Sequence, residues 1–456
     1  MCGMKRELTT DFTQGSVSRQ MVTFAFPLFL SNLLQAVYNM VDMIVVGHFV
    51  GKNGLSAVSI GGDVLNMLTF LAMGFSNAGQ VIIAQHIGAG RRDRVGKIVG
   101  NLVTFLLSAA VAVSVLCFCI RGPILRWMNT PAPVWNYTMS YVTTCMLGLV
   151  FIYGYNVNSA ILRGMGDSRH PFLFIATAAV ANLALDLLFV VRFRWAAFGA
   201  ALATVIGQGI SFVWGTVFIL RNREKLEITL DKSCFRPDRE IGAVLLKLGV
   251  PMAIKSAAIT FSKLFVDAWI NSYGVVASSA SGIESKLNII SNLFSNAVNM
   301  SGSTMIGQNI GAERYDRVPK IMRTAFFITV SIAAALSLVL VLAPKAVFGI
   351  FTSDADVLNA SMQMLFLMVL IFFGSAARSP NNGLIDGSGN YKLNFAVALL
   401  DGIVNRIGFA LLFGVVLDMG WIGFLYGDAV AGFTPLLIGG VYFLSGRWRT
   451  RNYIIH

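Results

Sequence analysis

The chain has 456 residues, 56% apolar and only 12% Asp, Glu, Lys or Arg, with a formal charge of +13 and a mean hydropathy of +0.70. Soluble domains carry about one-quarter charged residues, and a disordered or nucleic-acid-binding tail needs more charge still, so both classes are excluded. What remains is a polytopic membrane protein: about 20 apolar residues cross a bilayer, which leaves room for roughly a dozen spans joined by short loops.

In chain order, the segment up to about Arg19 is polar. No early apolar core of a cleavable leader precedes the first span, which is therefore expected to stay as the insertion signal. Apolar runs bounded by charges, Gly and Pro follow near 20–48, 56–86, 95–120, 134–161, 168–192 and 197–221. After a polar connection they resume near 244–273, 279–308, 319–343, 355–381, 390–415 and 420–445. The fold class is all-α: twelve transmembrane helices in two six-helix lobes. The expected division is an N-terminal lobe over 1–225, a cytoplasmic linker over 226–243 and a C-terminal lobe over 244–456.

Basic residues orient the spans. With a cytoplasmic N-terminus, 24 of the 35 Lys and Arg residues fall on cytoplasmic ends and loops. They include Lys5, Arg6, Arg91, Arg92, Lys97, Arg223, Arg236, Arg314, Arg317, Arg447 and Arg449. The outer loops hold Lys52, Arg121, Arg126, Arg192, Arg194 and Lys345, and both termini are expected inside. Basic loops facing anionic lipid also account for the net charge, so no nucleic-acid partner is needed.

The halves repeat. Residues 85–97 (QHIGAGRRDRVGK) and 308–320 (QNIGAERYDRVPK) are identical at most positions, at a shift of 223 residues. The same shift carries Gly164 and Gly166 to Gly387 and Gly389, and Asn182 to Asn405; Pro27 meets Pro251 after one inserted residue. Six helices separate the copies, so the repeat is parallel. Such two-lobed transporters hold substrate between the lobes and rock to alternate its access.

Ionisable groups at membrane depth point to function. Asp42, Asp186 and Thr204 lie six or seven residues from the outer ends of the first, fifth and sixth spans. At 1.5 Å per residue they share one depth, roughly 10 Å below the outer surface. Asn182 is one helical turn before Asp186, and Tyr38 one turn before Asp42. Two carboxylates, an amide and a hydroxyl suit a hard cation such as Na⁺. The same carboxylate pair can instead share a proton, or bond structurally to nearby backbone. The shift of 223 takes Asp186 to Phe409 and Thr204 to Gly427, so the second lobe lacks half of the set. That lobe carries Lys255, Lys263, Asp267, Glu284, Lys286, Arg378, Asp401, Arg406 and Asp428 instead, a mixed set that either pairs internally or lines a cavity. Lys263 and Asp267 are spaced for a helical ion pair.

Pro27 and Pro251 remove a backbone hydrogen bond within the first helix of each lobe, and bending at Pro27 would change the room around Asp42. The 19 Met and 34 Phe residues suit an adaptable cavity for flat apolar ligands. Cys2, Cys117, Cys119, Cys145 and Cys234 form no disulfide or metal pattern, and His48, His86, His170 and His456 are scattered. With no phosphate loop and no catalytic set, an ATP-driven pump or an enzyme is not expected, and an ion gradient remains as the energy source.

These residues resemble the multidrug and toxic compound extrusion (MATE) family of bacterial drug/cation antiporters over nearly the whole chain. PLFLSNLLQAVYNMVDMIVVG (27–47) looks like the family's first helix, ANLALDLLF (181–189) with Thr204 like its fifth and sixth, and QHIGAGRRD (85–93) like the loop after the second. The resemblance implies that Asp42, Asn182, Asp186 and Thr204 bind Na⁺ or H⁺, the only cofactor expected. It implies that Gln35, Tyr38 and Asn156 line the neighbouring cavity. Another branch of the family places an acid shortly after the proline of the seventh helix; residues 252–262 here contain Lys255 and no acid. The implied function is export of amphipathic, often cationic, drugs or toxic metabolites from a monomer in the cytoplasmic membrane. A flippase for lipid-linked oligosaccharides, from the same superfamily, is the alternative.

Overall fold

The computed structural model describes residues 8–450. Lys5, Arg6, Cys2 and His456 lie outside the described residues. Within them the chain is helical and contains no strand. Helices α1 (Val17–Phe49), α2 (Lys52–Gly88) and α3 (Arg92–Trp127) come first. Then follow the bent pair α4 (Trp135–Leu147) and α5 (Leu149–Gly164), α6 (Arg169–Asp186) and α7 (Ala196–Arg221). The second series is α8 (Arg239–Asn271), α9 (Val275–Gly311), α10 (Val318–Leu342), short α11 (Pro344–Gly349), and the bent pair α12 (Ala355–Gln363) and α13 (Leu365–Gly387). It ends with α14 (Tyr391–Leu399) and α15 (Asn405–Leu411), joined by a π-helical turn, and with α16 (Gly420–Ala431) and α17 (Thr434–Leu444).

Among the described residues nine helical segments are long and apolar enough to cross a membrane, and each bent pair supplies one more. The twelfth expected span, 279–308, does form a helix, the 37-residue α9, yet it falls short of that apolar standard. The reason is its buried face, which carries Glu284, Asn288, Ser291, Ser295, Ser301 and Thr304. A helix turned inward can carry polar residues that a lipid-facing one cannot. Lipid-facing positions read the other way: Phe327, Leu342 and Leu444 are 75%, 75% and 84% exposed.

Compact packing divides the chain elsewhere than the loops do. One unit holds Phe26–Val250; the other holds Phe12–Ala25 and the described chain from Pro251 onward. The divisions fall next to Pro27 and at Pro251, inside the continuous helices α1 and α8. Residues 226–243 pack in the first unit, against α3: Lys97 pairs with Asp238 at 2.6 Å, and Asn101 donates to Cys234 O and accepts from Asp238 N. Asp238 also caps α8, its Oδ1 accepting from Glu240 N and Ile241 N. In the second unit the residues before α1 are held by the repeat's second copy. Phe12, fully buried, donates its N–H to Gln308 and accepts from Asn309, while Arg317 donates to Gln14 O and Gly15 O.

The repeat seen in sequence recurs in the backbone. Gly51 and Gly274, 223 residues apart, take φ of 85° and 104° and open α2 and α9; Gly166 and Gly389 take 84° and 67°. Gly90 at 70° is matched by Glu313 at 56°, where the second copy tolerates a left-handed residue that is not glycine.

Candidate cation site

The first unit builds the site from α1, α6 and α7. These helices meet through small residues, since lipid offers no hydrophobic drive to associate and close packing must supply it. At Gly207 of α7 an added Cβ would stand 3.1 Å from Ala178 O and 3.4 Å from the Asn182 side chain. This approach brings Asn182 Nδ2 to Thr204 Oγ1, at 3.5 Å. One turn further along α7, Gln208 Nε2 donates to the Tyr38 hydroxyl at 3.4 Å. Gln35 also lies in hydrogen-bonding reach of that hydroxyl.

Asp42 and Asp186 are 6% and 0% exposed. Among the described residues neither has a basic partner. Asp42 Oδ1 and both carboxylate oxygens of Asp186 lack any hydrogen-bond donor, as does Gln208 Oε1. The two carboxylates are close enough to act on each other electrostatically. Tyr141 and Cys145 stand in the field of Asp42. Tyr141 reaches this position because Gly61 of α2 leaves room for its ring; a Cβ there would come within 2.3 Å of it. Asp186 ends α6, and the next six residues, Leu187–Arg192, wind as a π-helix. Such turns recur at functional sites because they re-aim a side chain within a helix. A cavity of about 130 Å³ adjoins the group, apolar except for Tyr38 and Asn182.

Burying an unpaired charge is costly unless something neutralises it. The arrangement therefore suits a bound monovalent cation or a shared proton, with carboxylate, amide and hydroxyl oxygens as the ligating atoms. Asp42, Asn182, Asp186 and Thr204 are all supplied by these three helices, with Tyr38 beside them. Asn156 lies on α5, its amide donating to Ile152 O one turn earlier on the same helix. Gln208, Tyr141 and Cys145 were not foreseen from sequence. Only Gln208 carried a signal, its spacing of one turn from Thr204.

The second unit treats its charges differently. Arg406, 1% exposed, lies between Asp401, at 3.1 Å, and Asp428, and its Nε also donates to Asp401 O. Arg378 stands 3.9 Å from Asp401, and Lys255 donates to Asp386 at 2.9 Å and Asn394 at 2.8 Å. Glu284 accepts from Asn288. The expected Lys263–Asp267 pair is not made at contact distance. Lys263 stands instead within electrostatic range of three acids, Asp267, Glu284 and Asp428. Asn405, counterpart of Asn182, keeps an amide-to-hydroxyl bond, to Thr434 at 2.9 Å.

Two helical units related by an internal repeat, with a pair of membrane-depth carboxylates lacking any basic partner among the described residues in one of them, define a polytopic membrane transporter. The MatE family model matches residues 27–188 and again 251–412, and the chain belongs to that family. It is 28% identical over 446 residues to the probable multidrug resistance protein YpnP of Bacillus subtilis (strain 168), covering 96% of this chain and 97% of that protein. It is 23% identical to the probable multidrug resistance protein NorM of Thermotoga maritima, covering 95% and 94%. Among solved structures, a MOP superfamily transporter from Pyrococcus furiosus aligns with a TM-score of 0.89 at 19% identity, over 97% of this chain and 99% of that one. A MATE crystallised in a bent conformation aligns at 0.87 and 20%, over 97% and 100%. At these identities the structures show the shared fold.

Proposed function

We propose that this protein is a secondary active multidrug efflux transporter of the cytoplasmic membrane. It exports amphipathic, often cationic, organic compounds in exchange for Na⁺ or H⁺. The observation that carries the reading is the pair of buried carboxylates, Asp42 and Asp186, with oxygens that no protein group satisfies. The names of its relatives, multidrug resistance proteins, support the cargo. The excess of Lys and Arg on one set of loops supports cytoplasmic termini. The protein acts as a monomer.

In this reading Na⁺ or H⁺ enters the first unit and neutralises Asp42 and Asp186, ligated also by Asn182 and Thr204. Neutralisation lowers the cost of enclosing the carboxylates. Tyr38 joins α1 to α7 through Gln208, so closing around the cation moves α1 relative to the adjoining cavity and expels drug. The lobes then alternate access and release the ion inside. Antiport requires drug and ion to disfavour each other's binding, and that coupling is reciprocal. The test is drug resistance conferred on a pump-deficient host. Asp42→Asn is expected to lower resistance to the level of the empty host at unchanged expression; full resistance would overturn the proposal.

A further inference from the structure

At the basic end of the second unit a groove of about 510 Å³ opens between α10 and α17, over α13. Its walls are Met322 and Phe326 of α10 and Leu436, Phe443 and Leu444 of α17. Arg323 stands at the groove, exposed, with no carboxylate or carbonyl partner among the described residues. Lys320, one turn earlier on the same face, adds a second positive charge. On the floor Asn381 is 1% exposed, and its Oδ1 has no donor.

The repeat shows what is particular here. The shift of 223 residues carries Gly96, Gly100 and Asn158 of the first unit to Pro319, Arg323 and Asn381. In the first unit that face is closed. A Cβ at Gly96 would meet Thr229 O at 1.9 Å, and one at Gly100 would meet Cys234 O at 2.3 Å, so the linker lies flush on α3. Asn158 there donates to Phe212 O and Thr216 Oγ1, pinning α5 to α7. In the second unit Asn381 donates only to Ala377 O of its own helix, and the face is open.

We propose that this groove is a binding site for one anionic phospholipid of the cytoplasmic leaflet. An acyl chain lies along Phe326, Leu436 and Phe443, and the phosphate rests against Arg323. The occupant follows from charge and location: the groove is walled by apolar side chains on helices whose neighbouring residues Phe327, Leu437 and Val441 are exposed, as lipid-facing residues are, and its cation stands at the basic end of the unit, where anionic headgroups concentrate. A guanidinium binds a phosphate through paired donors, so arginine suits this position better than a point charge. The groove shares no residue with the carboxylate site, so it is independent of the cation proposal.

The test is native mass spectrometry of the purified full chain with phosphatidylglycerol and with phosphatidylcholine of the same acyl chains. The wild type is expected to retain phosphatidylglycerol at least severalfold better. Arg323→Gln is expected to bring the two lipids to parity, and Arg323→Lys to keep part of the preference. Gly440→Leu is expected to lower retention of both, because a Cβ added at Gly440 in the groove wall meets no atom within 4 Å and leaves room for a side chain to occupy the groove. Parity in the wild type, or an unchanged preference in Arg323→Gln, would overturn the proposal. So would phosphatidylglycerol retention that appears only in a chain ending at Thr450, since the groove would then belong to the chain's own last residues.

Discussion

The two units share a repeat but handle buried charge in opposite ways. In the first, Asp42 and Asp186 are enclosed with no basic partner and with oxygens left unsatisfied. In the second, Asp401 and Asp428 hold Arg406 between them, and Asp386 holds Lys255. A paired buried charge is costly to break, whereas an orphaned one is costly to keep. The first unit thus stores an electrostatic penalty, which in the proposed reading a small cation relieves, whereas the second commits Asp386, Asp401 and Asp428 to ion pairs.

Substitution can break this comparison. The largest expected effect on function is in the first unit: Asp186→Asn should reduce drug efflux to background. Its thermal midpoint should stay equal to wild type or rise, because an amide in place of an unpaired carboxylate removes a desolvation cost. A collapse in stability would mean that Asp186 has a structural partner. The largest effect on stability belongs to the second unit. Asp401→Asn leaves Arg406 underpaired, and breaking a buried pair costs about 3–5 kcal/mol, read as a fall in thermal midpoint. Joint replacement of Asp401, Arg406 and Asp428 by apolar residues of similar volume should recover much of that loss.

Smaller effects sharpen the picture. Asn182→Ala removes the donor to Thr204 and one candidate ligand, and efflux is expected to fall about tenfold, equivalent to about 1.4 kcal/mol. The smallest effect is at the linker. Hydrogen bonding from Lys97, and then from the Ile241 N–H, holds the Asp238 carboxyl below its ordinary range. A lowered folded pKa gives stability that is present above the unfolded value, near 4, and lost as pH falls through the folded one. Lys97→Met should therefore lower the thermal midpoint slightly at pH 6, by less than about 1 kcal/mol for a half-exposed pair. The difference from wild type should vanish toward pH 3.

Much of this was legible in the sequence. Span positions followed from long apolar runs, and the repeat from QHIGAGRRDRVGK and QNIGAERYDRVPK. The quartet of Asp42, Asn182, Asp186 and Thr204 followed from depth along each helix, because rise per residue is fixed. What remained hidden depended on rotation and packing. Tyr141 joins the group because Gly61, about eighty residues earlier, leaves space for its ring. The weak apolarity of α9 is explained only by its inward face. The unit boundaries at Phe26 and Pro251 lie inside unbroken helices, where loop composition gives no signal. The pairing of Arg406 with residues five before and twenty-two after it depends on a π-helical turn at Leu400–Val404.

The central claim is that the carboxylates of the first unit couple export to a cation gradient. It is tested most directly in proteoliposomes, by measuring drug efflux with a proton gradient and a Na⁺ gradient imposed separately on wild type and Asp42→Asn. The account predicts that at least one gradient drives wild-type efflux and that neither drives it in Asp42→Asn. Efflux driven equally well in the variant, or driven by neither gradient in the wild type, would contradict it.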